Sequence, residues 1–433
     1  MITFRSTFRI LALIAVAGGL AVSAQQPPVP ATAIAPASVG VSAERLERLH
    51  RGMQELVDRH EAGGIVTLIA RDGKVVDVHA SGFQDVENRT TMRTDSLFRV
   101  ASMTKPITSV AVMMLYEEGK LLLTDPVAKF IPAFMSSRVL ETGTEAPVAA
   151  RRGINLRDLL SHRSGLTYGF LNGGAVGNLY RKDGVTDGLT TTTMTLAEAI
   201  DKLAAEPLVS QPGAAWNYSL STDVLGRVVE VASGQPFNVF LRERIFKPLH
   251  MADTDFVVPE AKWSRLTTVY APDGNGGIRP MKDPETFGNT VMSPVASYQP
   301  TKTYFSGGAG LVSTARDYAR FAQMLLNGGV LDGTRLLGPK TIEMMTLSHT
   351  TDLPPSGLIG AGAQFGLGFR VVTDPAATQT LGSAGLYGWS GIYGTVFWVD
   401  PKERLVAIMM VQRYPGSPVA AAFQPLVYQA LVK

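Results

Sequence analysis

The 433-residue sequence predicts an α+β fold, with one antiparallel β-sheet built from both ends of the chain, helices flanking it, and a mostly helical lobe inserted between. Three observations carry this. Strand-like apolar runs gather before residue 100 and after residue 360. Helical patterns with Gly-, Pro- and Thr-rich loops fill the middle, from about Leu121 to Pro300. Helical stretches also border the strands, at Ala43–His60 and Val419–Val432.

Residues 1–24 read as a signal peptide. Arg5 and Arg9 form a basic start, Ile10–Val22 is apolar, and Val22-Ser23-Ala24 is a small-residue cleavage site. The apolar run is short for a spanning helix, which needs about 20 residues. The expectation is therefore a periplasmic or secreted protein, cleaved after Ala24, with no stable membrane anchor. Residues 25–40 read as a Pro/Ala-rich linker, and 41–433 as the folded domain.

In Ala43–His60, Leu46, Leu49, Met53, Leu56 and Val57 recur at helical spacing, with Ser42 as N-cap and Gly63-Gly64 as stop. Ile65–Ala70 and Val75–Ala80 read as strands joined by an Asp72-Gly73 hairpin turn. A helix follows Ser102 and ends at Gly119. Further helices are expected at Thr195–Glu206, Thr222–Ser233, Phe237–Ile245 and Thr314–Asn327. Strands are expected at Gly366–Val372, Gly391–Val399 and Leu405–Gln412, the last two joined at Asp400-Pro401.

Composition narrows the function. The chain is 45% apolar and 18% charged, an ordinary globular balance. Its formal charge is +3, and Arg5 and Arg9 supply two of those charges, which leaves +1 for the rest. Nothing there predicts a nucleic-acid or anionic-membrane partner. With no cysteine, disulfides, thiolate metal sites and a cysteine nucleophile are excluded. There is no H-E-x-x-H, Gly73-Lys74 and Gly119-Lys120 lack the rest of a phosphate loop, and no dinucleotide fingerprint follows a strand. No cofactor and no metal are expected.

Ser102-Met103-Thr104-Lys105 lies where strand-like Leu97–Val100 gives way to a helix. Three residues are about one helical turn, so serine and lysine share a face. The helix N-terminus favours an alkoxide on Ser102. Lys105 can take the serine proton only when neutral, which requires desolvation or a neighbouring cation. About one S-x-x-K is expected by chance in a chain of this composition. Taken alone, Ser102 reads equally as a helix cap.

The surrounding residues are more specific. Leu97-Phe98-Arg99-Val100-Ala101-Ser102-Met103-Thr104-Lys105-Pro106 resembles the nucleophile segment of serine β-lactamases, DD-peptidases and family VIII carboxylesterases. Leu156–Leu166, Pro212-Gly213 with Trp216–Gly226, Phe305–Leu311 and Gly388–Gly391 resemble further segments of those families, in their order. The resemblance implies a β-lactamase/transpeptidase-like fold and an acyl-enzyme mechanism. It implies Ser102 as nucleophile, with Lys105 and Tyr218 sharing the proton transfers. It also implies an oxyanion hole from the N–H groups of Ser102 and Ile392, the latter on the strand after Trp389-Ser390-Gly391, where Gly391 permits close backbone approach.

Departures from the families' pattern bear on substrate. Trp389-Ser390-Gly391 stands where penicillin-recognising enzymes carry K-T-G. Leu220 stands where the second motif has asparagine. Both changes remove polar partners for a carboxylate and favour a neutral or apolar ester, with Trp389, Ser390 and Gly391 along the substrate. Tyr168, Phe170 and Tyr387 are expected to add aromatic surface. The expectation is a carboxylesterase-like hydrolase on a small-molecule ester. Its alternatives are a class C-like β-lactamase or D-amino-acid peptidase, a transacylase, and a non-catalytic binding protein. His162 reads as a structural residue, because no G-x-S-x-G elbow accompanies it. Oligomeric state is left open.

Overall fold

The computed structural model describes Met1 and residues 34–433, apart from 142, 144, 145, 355, 417 and 418. The signal-peptide reading therefore lies outside the described residues. So does the linker reading up to residue 33. Residues 34–40, also read as linker, are packed instead. Pro36–Val39 form a 3₁₀ turn, Ile34 and Val39 lie against the core, and the Arg71 guanidinium donates to the carbonyls of Val39 and Gly40.

Helix α1 spans Ala43–Asp58, its N-terminus capped by the Ser42 side chain accepting from the Arg45 N–H. Strands β1 (Gly64–Arg71), β2 (Lys74–Asp85) and β3 (Thr90–Thr91) follow. Helix α2 is Thr104–Glu117. The middle contributes α3 (Leu156–Leu160), α4 (Leu196–Ala204) and α5 (Ser221–Ser233), then α6 (Ala315–Leu326). The chain returns with β4 (Ala363–Phe365), β5 (Arg370–Val372), β6 (Tyr387–Ser390), β7 (Val396–Asp400) and β8 (Leu405–Val411). It closes on α7 (Val419–Tyr428).

The eight strands form one sheet in the order β4-β5-β6-β7-β8-β1-β2-β3, antiparallel throughout. Strands from the two ends of the chain meet at its centre, where Ile65 pairs with Val411 and Arg71 with Leu405. Both faces of β8 are covered. Val406, Ile408 and Met410 pack with α2, α6 and the central region, while Leu405, Ala407, Met409 and Val411 pack beneath α1 and α7. A strand buried on both faces reads as a continuous apolar run, and β8 does.

Two expected strands each begin as a turn and only end as a strand. Gly366–Val372 splits into the end of a turn and β5, because Gly368 sits at φ 97° and the Gly366 N–H turns back to the Phe369 carbonyl. Gly391–Val399 begins as the β6–β7 turn, with the Gly391 N–H donating to Thr395 and Gly394 at φ 91°. Ile392, expected on a strand, therefore lies in that turn.

Candidate active site

Ser102 stands in a 3₁₀ turn, Ala101–Met103, that leads directly into α2. Ala101 adopts φ 42°, a left-handed conformation that costs a residue with a Cβ about 1–2 kcal/mol. The kink is held from both sides. The Phe98–Arg99 backbone pairs with Val312–Ser313, and the Gln412 side-chain amide accepts from the Arg99 N–H at 3.1 Å and donates to its carbonyl at 3.0 Å. Ser102 is thereby lifted out of the core toward a cavity of about 400 Å³.

One turn along α2, Lys105 is buried. Its Nζ lies 3.1 Å from Ser102 Oγ, 3.0 Å from the Tyr168 hydroxyl and 2.7 Å from the Gly308 carbonyl. It also sits 4.5 Å from the Tyr218 ring centre. Burial pulls its pKa down to about 7, against the opposing charge of Asp223. A substantial neutral fraction near neutral pH follows, and a neutral amine beside a serine hydroxyl can accept its proton.

Tyr218 reaches the same oxygen from the other side. Its hydroxyl hydrogen-bonds Ser102 and accepts from the Trp389 indole N–H at 3.1 Å. Burial raises its pKa, so it is a neutral phenol able both to donate and to accept. Trp389 ends on the same cavity from β6. Ser390, Gly391 and Ile392 line it as well. Among the described residues, neither the Ser102 N–H nor the Ile392 N–H donates to another protein group. A Cβ at Gly391 would lie 2.5 Å from the Val100 carbonyl, so glycine lets the β6–β7 turn close on the nucleophile segment.

Of the aromatic residues expected around the substrate, Phe170 lines the cavity but Tyr168 and Tyr387 do not. Tyr168 is buried behind Ser102 as a partner of Lys105. Tyr387 points into the core and packs on Phe369. Alternation along a strand and the path of a loop decide such placements, and neither is legible from residue type. Leu220 is buried and outside the cavity. His162 is buried, contacts Ser219 through Nδ1 at 3.2 Å, and has no hydrogen bond to Ser102. Burial, and then the Lys105 charge, hold its pKa well below the ordinary imidazole value.

Sequence reasoning assigned no role to the groups beneath Lys105. Asp223, on α5, accepts from Tyr304 at 2.9 Å and Ser306 at 2.6 Å. A Cβ at Gly308 would lie 2.5 Å from Asp223 Oδ2 and 2.9 Å from the Tyr168 hydroxyl, so this glycine lets the backbone carbonyl approach Lys105. The Ser306-Gly307-Gly308 run was the available signal, but its partners come from three distant segments.

The sequence profile of the beta-lactamase family matches residues 49–430. The chain is 35% identical over 376 residues to Esterase EstB of Burkholderia gladioli, covering 84% of this chain and 90% of that protein. It is 30% identical over 436 residues to a putative D-alanyl-D-alanine carboxypeptidase of Escherichia coli K12, covering 96% and 92%. Among solved structures it resembles EstCE1, described as a hydrolase with promiscuous acyltransferase activity, with a TM-score of 0.77 and 28% identity over 89% of this chain and 98% of that one.

Proposed function

The chain belongs to the beta-lactamase family, and from that premise we propose that this serine hydrolase cleaves carboxylic esters through an acyl-enzyme on Ser102. The observation that carries the proposal is the convergence of the Lys105 amine and the Tyr218 phenol on one serine oxygen. In the proposed sequence, neutral Lys105 takes the Ser102 proton as Oγ attacks the ester carbonyl. The N–H groups of Ser102 and Ile392 receive the developing oxyanion, since both are unengaged. Tyr218, hydrogen-bonded to Ser102, gives its phenolic proton to the departing alkoxide and is reprotonated by Lys105, so the alcohol leaves and both groups are again neutral. Water then attacks the acyl-enzyme, its proton passing to neutral Lys105 through Tyr218, and that proton is delivered to Ser102 Oγ as the ester bond to the enzyme breaks, releasing the carboxylic acid and free Ser102.

Esters are favoured over β-lactams by Trp389. It stands where a lactam carboxylate would need a cation, and its indole N–H is already committed to Tyr218. Similarity to Esterase EstB supports the same choice. Export to the periplasm or medium belongs to the proposal, on the basic-then-apolar pattern of residues 5–24.

The test pairs p-nitrophenyl acetate and butyrate with a chromogenic cephalosporin, on the protein and on Ser102→Ala. Ester turnover at least 1,000-fold reduced in the variant, with little lactam opening in either, is the expected result. Rapid lactam opening would transfer the assignment to a β-lactamase. Equal ester rates in both proteins would remove Ser102 from the chemistry.

A further inference from the structure

One charged side chain lines the cavity that Ser102 opens into, and it belongs to Arg370 on β5. It is half-buried, and its Nε donates to the Ile359 carbonyl at 2.7 Å. Among the described residues its two Nη groups have no acceptor, and no carboxylate pairs with it. Four other shielded arginines each hold a carboxylate. Arg71 holds Glu403, Arg163 holds Asp352, Arg265 holds Asp253 and Arg413 holds Glu61. Arg99, fully enclosed, spends its N–H groups on the Pro294 and Thr267 carbonyls. A partly desolvated arginine with one hydrogen bond to the protein and no anion regains only part of the hydration it gives up.

Its place in the sheet is informative. Arg370 pairs across the strands with Gly388, next to Trp389. The walls of the cavity are mostly apolar, with Leu358, Leu386 and Leu171 among them, and its other polar side chains, including Thr380 and Gln424, are uncharged. A guanidinium with a free two-donor edge in such surroundings matches a carboxylate bidentately, and low polarity strengthens the pair. Three residues along β6 separate Gly388 from Gly391, which is about 10 Å at strand spacing. The anion would therefore sit several bonds from the reacting carbonyl, away from the position that Trp389 closes.

We propose that Arg370 anchors a carboxylate borne by the substrate, so that the preferred esters are anionic ones such as monoesters of medium-length dicarboxylic acids. The proposal rests on the ester reading for its chemistry, but the binding it predicts does not need turnover.

Calorimetric titration of the Ser102→Ala protein with monomethyl adipate and with dimethyl adipate separates the two. The monoanion is expected to bind at least tenfold more tightly. Adding Arg370→Gln should erase that difference, whereas adding Arg370→Lys should keep part of it, with unfolding midpoints showing that all three proteins are folded. In turnover by the otherwise unaltered chain, the ratio of kcat/KM for p-nitrophenyl hydrogen adipate to that for its methyl ester should fall about tenfold on Arg370→Gln. A second arm, the butyrate ester of 6-hydroxyhexanoate against that of hexanol, tells whether the carboxylate sits on the acyl or the alcohol side. Equal binding of the two adipates, binding of neither, or a preference that survives Arg370→Gln would each overturn the proposal. Failure of neutral butyrate turnover would overturn the ester reading alone.

Discussion

Lys105 is ringed by three oxygens, and a protonated lysine has three N–H bonds to give. In that form every donor is spent and Ser102 gains no base. When Lys105 loses its proton, Gly308 and Tyr168 can still be satisfied, and the lone pair turns to the Ser102 hydroxyl. Because burial pulls its pKa down to about 7, the productive form accumulates as pH rises through that value. The expected kcat/KM profile for a neutral ester therefore has a one-proton acid limb centred near pH 7, with a plateau above it. A profile flat from pH 5.5 to 8.5 would rule out Lys105 as the base. Trp389 and Ser102 hold the Tyr218 hydroxyl between them, which fixes where the second proton carrier stands. The Ser102–Lys105 pair was legible because helical spacing alone puts the two on one face. Its environment was not, since Tyr168, Gly308 and Asp223 come from segments that only the folded chain brings together.

At the scale of elements, the site is the meeting of two turns, Ala101–Met103 and the β6–β7 connection. Gly391 sets their separation. In Gly391→Ala the new Cβ would fall 2.3 Å from Thr395 Oγ1 as well as against the Val100 carbonyl. The β6–β7 turn must then withdraw, carrying the Ile392 N–H with it. A displacement near 1 Å at a reacting centre costs on the order of 100-fold, so kcat for p-nitrophenyl butyrate should drop by about that factor while far-ultraviolet circular dichroism is retained. Activity within threefold of the parent would show that the turn does not position the oxyanion. This turn was misread from sequence as the start of a strand, because Gly391–Val399 alternates well enough to look extended. The Gly366–Val372 run failed similarly, since a positive φ at Gly368 cannot be told from a strand glycine without the backbone. By contrast α1, β1, β2, α6 and β8 followed their apolar spacing closely, because each is specified by burial over many residues.

For the molecule as a whole, holding a lysine in the core is a standing cost. The unfolded chain binds the Lys105 proton up to the ordinary value of 10.5, while the folded chain releases it near 7. Between those values the unfolded state carries the extra proton, so this group lets stability rise with pH across that window and penalises the fold fully below it. Lys105→Met removes the penalty along with the base. The variant should be inactive yet melt roughly 2–5 °C higher at pH 7, with the gap narrowing toward pH 10. A variant that melts lower at pH 7 would show that the lysine's hydrogen bonds outweigh its desolvation. Fold class was readable at this scale because strands at both ends of the chain must share a sheet or leave four edges exposed.

The Gln412 clamp on Arg99 spans 313 residues of sequence and holds the backbone three residues before Ser102. On a growing chain that partner does not yet exist, and neither does the β1–β8 pairing at the centre of the sheet. Contacts of such long sequence separation slow folding. The nucleophile segment therefore lacks its clamp until nearly the whole chain has been made, and hydrolytic competence waits on the two ends of the chain coming together.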